Sequence, residues 1–463
     1  MTGLDLSIAS LAKAYREGRL DPVKVVAEVY RRIEARGRDH VWTRLVPRDE
    51  ALARARALEA LPPGSLPLYG IPFGVKDNIH VAGLPTTAAC AALDQPAAET
   101  ATLVSLLLAA GAILIGKQNL DQFATGLVGI RSPMGYCRNP FDERYIPGGS
   151  SSGSAVAVAA GLVSFSIGSD TGGSGRVPAA LNNIVGLKPT PGAISSAGVL
   201  HCNRTFDVMP VFASTCDDAW TVYRQLRVED DRDPYSRPMP QEEPPSAEAP
   251  FTFAVPAGED LTFFGDAQAE SLFAAALERL SQIGGQRVPV DYSPFREAGN
   301  SVFGGAMLAE RLVEFGPVVT ARPETIHPAV RQIVEGARRF SAVEAFTEQY
   351  RLATLRKKAA SALSALGPAG ILVVPTTGTI YRCDEVEADP IAKNANMGRY
   401  TYFVNPLGLA ALAIPAGIRG SGLPFGICLI GPGGSDARLL GIGRRFERAL
   451  GLAPGLRGAR PPA

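Results

Sequence analysis

Residues 147–176 read PGGSSSGSAVAVAAGLVSFSIGSDTGGSGR. Two runs of glycine and serine bracket a stretch of small, mostly apolar residues. Taken alone, the composition of 147–154 is that of a flexible linker. Yet it opens directly into the apolar stretch, which makes it the start of a buried helix. Serines there supply acceptors for the orphan amides of a helix start, and glycines let other groups approach the backbone closely. Ser154–Gly161 is therefore assigned to a helix and Val163–Ile167 to a strand, with the second glycine run at the strand's carboxyl end.

The same alternation extends outward. Ile71–Val75 reads as a strand, Thr102–Ala110 as a helix and Ala112–Ile115 as a strand. Elements alternating at this interval predict an α/β fold with a mostly parallel or mixed sheet and helices on both faces. Upstream, residues 7–36 carry helical periodicity, divided into two helices by Gly18 and Asp21-Pro22. Glu229–Pro250 is polar and proline-rich and reads as a long surface connection. Beyond it come a strand (Phe251–Val255), a largely helical stretch (Ala267–Leu366), strands at Ile371–Val374, Ala411–Ile414 and Gly426–Ile430, and a closing helix, Asp436–Leu450. One domain over 1–455 is expected, with 456–463 a disordered tail or the start of a linker.

Composition narrows the function classes. The 463 residues carry 46 Lys+Arg against 45 Asp+Glu, a net charge of +1, without the basic excess of nucleic-acid binders. No apolar run reaches the length of a membrane span, and the charged N-terminal stretch lacks the apolar core of a signal peptide. The six cysteines include no CxxC pair and read as buried thiols in a reducing compartment, so a cytoplasmic protein is expected. The four histidines, His40, His80, His201 and His327, are dispersed, so neither a metal site nor a cofactor is expected.

The run Ser169–Arg176 follows a strand end, where α/β sheets place ligands. Thr171, Gly172, Gly173 and Ser174 can turn successive amides toward one point, as an oxyanion requires; a phosphate-binding nest has the same signature. No Gly-Lys-Ser/Thr follows, which argues against a P-loop. A nucleophilic serine needs a base, and neither His201 nor His327 stands in a catalytic context. Lys76, at the end of an apolar strand, fits if burial lowers its pKa; the ordinary reading is a surface lysine at a strand end. Gly149-Ser-Ser-Ser-Gly153 also matches G-x-S-x-G with Ser151 central, but that motif wants a preceding strand and a later histidine.

At these residues the chain resembles the amidase signature family. Val75-Lys76-Asp77, Gly148-Gly149-Ser150-Ser151, Asp170-Thr171-Gly172-Gly173-Ser174-Gly175-Arg176 and Gly186-Leu187-Lys188-Pro189 match in order, and Ser150 and Ser174 stand 24 residues apart as in that family. The resemblance covers essentially the whole chain. It implies an α/β/α sandwich around a large mixed sheet. It also implies a Ser–cisSer–Lys set in which Ser174 is the nucleophile, Ser150 the bridging serine in a cis peptide and Lys76 the neutral base. Thr171, Gly172 and Gly173 then form the oxyanion hole, and Asp170 and Arg176 an ion pair that fixes the loop.

Within the family, the stretches 77–90, 119–129 and 176–183 are most similar to members that hydrolyse allophanate, urea-1-carboxylate. That implies a cation for the substrate carboxylate, here Arg311 of Ala309-Glu310-Arg311, with Phe303 and Ala124 as further substrate contacts. Phe303 stands where the family tends to have tyrosine. The resemblance leaves two other readings in the same fold: a broader small-amide hydrolase and the amidase subunit of a transamidation complex. A catalytically silent binding module is the reading from another class. Small-molecule amides, with no nucleic acid or membrane, are the expected partners, and a homodimer is open.

Overall fold

Burial on both faces is what the apolar strands demand, and the chain meets it with one mixed sheet. The structure is a computed structural model that describes residues 4–245 and 249–459. Its strands are β1 (Trp42–Leu45), β2 (Pro72–Lys76), β3 (Ile113–Gln118), β4 (Phe165–Ile167), β5 (Val185–Lys188), β6 (Val211–Ala213), β7 (Phe251–Ala254), β8 (Gly285–Val288), β9 (Ile371–Pro375), β10 (Ala410–Ile418) and β11 (Pro424–Gly431). They run across one eleven-stranded sheet in the order β1-β3-β2-β4-β6-β5-β10-β11-β9-β7-β8. β2 pairs in parallel with β3 and β4, and β7 with β8 and β9; the remaining pairs are antiparallel.

Side chains that alternate along a strand face opposite layers, and here they enter two cores. Ile371 and Val373 of β9, with Ile427 and Leu429 of β11, join the core packed by helices Cys216–Leu226, Ala267–Gln282 and Asp436–Leu450. Leu372, Val374, Cys428 and Ile430 join a second core with helix Ala342–Ser364 and Tyr292, Phe295 and Phe403. This is the expected α/β/α layering.

The 147–154 run is no linker. Helix Ser152–Ala159 is buried along all eight residues. Its small side chains are required: a Cβ on Gly153 would sit 2.4 Å from the Val41 carbonyl. The 229–250 connection lacks helix and strand among its described residues and is pinned by Trp220 Nε1 donating to Glu243 and Arg227 donating to the Pro240 carbonyl.

Two readings need correction, and one region carries no reading from the sequence. The stretch 267–366 is interrupted by β8, because Gly284 at φ +91° ends the preceding helix and the polar residues Gln286 and Arg287 suit an exposed sheet edge. Strand β1 and helix Arg48–Glu59 carry too little apolar periodicity to be read. In the tail expected to be disordered, Gly455–Ala459 forms a 3₁₀ turn. It is held by Asn183, which bonds the backbone of Ala453 and Gly455, and by an Arg457–Asp5 ion pair of 3.0 Å. Residues 460–463 lie outside the described ones.

Candidate active site

Two parallel strands bring the first groups together. Val75 of β2 lies opposite Ile167 of β4, so Lys76 and Ser169 leave the sheet at the same carboxyl edge. Lys76 is fully buried, and its Nζ donates to Ser150 Oγ at 2.7 Å, to Ser169 Oγ at 2.9 Å and to the Ser169 carbonyl at 3.2 Å. Burial draws its pKa down to about 8, against the opposing pull of Cys202 and of the carboxylates Asp207, Asp121 and Asp170. Ser150 Oγ in turn donates to Ser174 Oγ at 2.8 Å. The Gly149–Ser150 peptide is cis. Ser174 is 3% exposed, so the line of groups runs from a dry amine to a nearly closed hydroxyl. Such a line can pass a proton from the outer hydroxyl to a neutral amine and leave an oxygen nucleophile.

Asp121 and Ser169 do much of the positioning, and neither was assigned a role from sequence. Asp121 accepts the amides of Val128, Gly129 and Arg131 at 3.2, 3.0 and 2.9 Å, while its own amide donates to the Ser150 carbonyl at 3.0 Å. The available signal was the place of Asp121 inside 119–129, one of the stretches that carry the family resemblance. Ser169 is fixed by Asn78, whose Nδ2 donates to its Oγ at 3.1 Å.

The loop after β4 is organised by Asp170. Arg176 holds it at two points, Nε to Oδ2 at 3.0 Å and Nη2 to Oδ1 at 2.9 Å, and neither side chain is exposed. The expected ion pair is thus present. The same carboxylate also takes the amides of Gly173 and Gly175, each at 2.8 Å. This departs from three amides of 171–173 turned to one point. A carboxylate cut off from water gathers every donor within reach, and Gly173 is one of them. Among the described residues the amides of Thr171, Gly172 and Ser174 have no acceptor.

Arg311 is fully buried in the first turn of helix Glu310–Ala321. Burial pushes the Cys202 thiol up and the guanidinium of Arg311 pulls it partly back; Tyr402 feels the same charge. Cys202 also acts on Lys76 and packs with Ala124, Ala89 and Leu120. Cys202 is thus common to the surroundings of Lys76, Arg311 and Ala124. Phe303 ends helix Ser293–Phe303, and its side chain lies outside the described residues.

Other candidates are placed elsewhere. Ser151 Oγ donates to the Ser169 carbonyl at 3.2 Å and has no histidine beside it. His327 caps helix Pro328–Gly336 through the Ala329 amide, and His201 Nδ1 faces Asp207 at 3.2 Å. Among the described residues no three His, Cys, Asp or Glu side chains gather as a metal would require, and no helix is long and apolar enough to cross a membrane.

The chain is similar to known proteins along most of its length. The chain is 40% identical over 412 residues to urea amidolyase of Saccharomyces cerevisiae, covering 88% of this chain and 22% of that protein. It therefore spans about a fifth of the length of the urea amidolyases it matches. It is 31% identical to a glutamyl-tRNA(Gln) amidotransferase subunit from Chlorobaculum parvum, covering 93% of this chain and 95% of that one. The structure of Kluyveromyces lactis allophanate hydrolase superposes with a TM-score of 0.91 at 36% identity, over 99% of this chain and 75% of that one. The amidase family model matches residues 24–440, and with nine-tenths of its length inside that match the chain belongs to the amidase family.

Proposed function

We propose that the chain hydrolyses allophanate, releasing ammonia, with Ser174 as nucleophile. The observation that carries this reading is the buried line from Lys76 Nζ through Ser150 Oγ to Ser174 Oγ, at 2.7 and 2.8 Å. With the amine neutral, Ser150 gives its proton to Lys76 as it takes that of Ser174. Ser174 Oγ attacks the amide carbon, and the amides of Thr171, Gly172 and Ser174 stabilise the oxyanion. The C–N bond then breaks, the relay returns a proton to the departing nitrogen, and ammonia leaves. Water, giving its proton to the same relay, cleaves the acyl ester and restores Ser174. No metal or cofactor enters these steps.

The substrate assignment rests on Arg311. A carboxylate taken into a dry cleft needs a matching cation, and a guanidinium meets it with two parallel hydrogen bonds. The likeness to allophanate hydrolase and urea amidolyase supports this choice. The end-to-end likeness to the amidotransferase protein favours a second reading, the amidase subunit of a transamidation complex. Ammonia release from allophanate, malonamate and uncharged amides separates the two. Turnover of the two anionic amides well above the uncharged ones is expected. Turnover of uncharged amides alone would leave a general amidase, and none without a further subunit would favour the second reading.

Two broader inferences accompany this. All six cysteines are free and buried, which supports a reducing, cytoplasmic setting. Val313, Val343, Phe346 and Tyr350 form an apolar surface, 83, 75, 63 and 71% exposed. A surface of that kind supports a homodimer.

A further inference from the structure

Asp207 has no role in the proposed steps, yet its carboxylate ties the oxyanion loop to the turn beside it. The side chain is fully buried. Oδ1 accepts from Thr171 Oγ1 at 2.5 Å and from the Asn203 amide at 3.3 Å. Oδ2 accepts from the Cys202 amide at 2.8 Å and faces His201 Nδ1 at 3.2 Å. One carboxylate thus closes the turn 201–207 and fastens it to the first residue of the oxyanion loop. The next residue, Val208, exchanges backbone hydrogen bonds of 2.8 and 3.1 Å with Asp170, which anchors the turn from behind.

The other side of the turn holds the segment that carries Arg311. Asn203 Nδ2 donates to the Met307 carbonyl at 2.6 Å. Thr205 donates its amide to Glu310 at 3.0 Å and its hydroxyl to the other oxygen of the same carboxylate. Glu310 is the neighbour of Arg311 and the first residue of its helix. The links therefore run from Thr171 through Asp207, Asn203 and Thr205 to Glu310.

We propose that the turn 201–207 is a spacer, with Asp207 as its positioning residue, that fixes the distance between the carboxylate-binding Arg311 and the oxyanion loop and so selects substrates by the separation of carboxylate and amide carbon. This rests on the allophanate reading of the site. In allophanate a single NH separates the two carbons; malonamate has one CH₂ in that place and succinamate two. A substrate one methylene longer must move either its carboxylate off Arg311 or its carbonyl off the oxyanion amides. With the spacer intact neither side yields, and one misplaced methylene is worth about 10- to 200-fold in kcat/KM.

The test is the ratio of kcat/KM for malonamate to that for succinamate. The wild type should prefer malonamate by at least about 10-fold. Thr171→Val keeps the side-chain shape and removes the donor to Asp207; it should bring the ratio toward one, while Thr171→Ser retains it. Glu310→Ala loosens the opposite, surface end and should move the ratio the same way, which keeps the test decisive if Thr171→Val folds poorly. Rates that fall in parallel for both substrates, with the ratio unchanged, would make the turn a purely structural element and overturn the spacer. Ser174→Ala serves as the separate control: its activity on malonamate would defeat the reading of the site itself.

Discussion

The Ser150 hydroxyl donates to the Ser174 hydroxyl over 2.8 Å, and the segment between them, 24 positions from serine to serine, contains a buried helix and a buried strand that leave neither serine free to drift. A contact of this kind is held by packing rather than by its own modest strength. It gives the site a direction, with Lys76 behind Ser150 and the small opening at Ser174.

Ser174→Ala should abolish ammonia release, by about 10⁴-fold or more for loss of a nucleophile, with an unchanged melting temperature. Ser151→Ala removes only a hydroxyl bonded to the Ser169 carbonyl and should remain active. A reversal of these two results would move the nucleophile to Ser151.

The rate should follow the protonation of Lys76. Its pKa is lowered to about 8 by burial, so below that pH the amine is an ammonium and cannot accept the Ser150 proton. The kcat/KM profile of the free enzyme should therefore rise about tenfold per pH unit in the acid limb and level off above about 8. Lys76→Arg, charged at every accessible pH, should be inactive throughout. A flat profile, or an active Lys76→Arg protein, would remove lysine from the base role.

Arg311→Lys should raise KM for allophanate about tenfold or more, the equivalent of about 1.5–3 kcal/mol for a charged hydrogen bond. An ammonium cannot reproduce the paired geometry of a guanidinium. Malonate should inhibit the wild type and lose potency against the variant. Equal inhibition of both would place Arg311 outside the pocket.

Arg176→Ala strands the Asp170 carboxylate in a dry loop, with its charge-paired partner gone. Breaking a buried pair from one side costs about 3–5 kcal/mol, and denaturant titration should show that loss together with reduced activity. A shift below about 1 kcal/mol, the range of an exposed pair, would contradict the burial seen here.

Light scattering checks the proposed homodimer. Phe346→Asp, with Val343 and Tyr350 one turn to either side on the same helix face, should convert a dimer to a monomer with little change in the melting temperature at low concentration. A wild-type protein that is monomeric at tens of micromolar would refute this assembly.

By itself the sequence determined the layered α/β fold. Short apolar strands such as Ile371–Pro375 must be covered on both faces, and the glycine and serine runs leave little choice but tight, backbone-exposing loops. Lys76 stands out in the sequence as a lysine at the end of an apolar strand, while Ser150 and Ser174 are singled out by the resemblance to the amidase signature family. Other features depended on tertiary contact. Gly173 turns its amide to Asp170 because that carboxylate is sealed from water, a fact no local pattern records. Asp121 and Ser169 act through partners separated in sequence, Ser150 and Lys76. Asp207 reaches Thr171 from 36 residues away, and Asn203 reaches Met307 from 104. Spacing along the chain reports which groups are present; only the packed sheet and its loops set which donor meets which acceptor, because each carboxylate takes the nearest donors that burial leaves it.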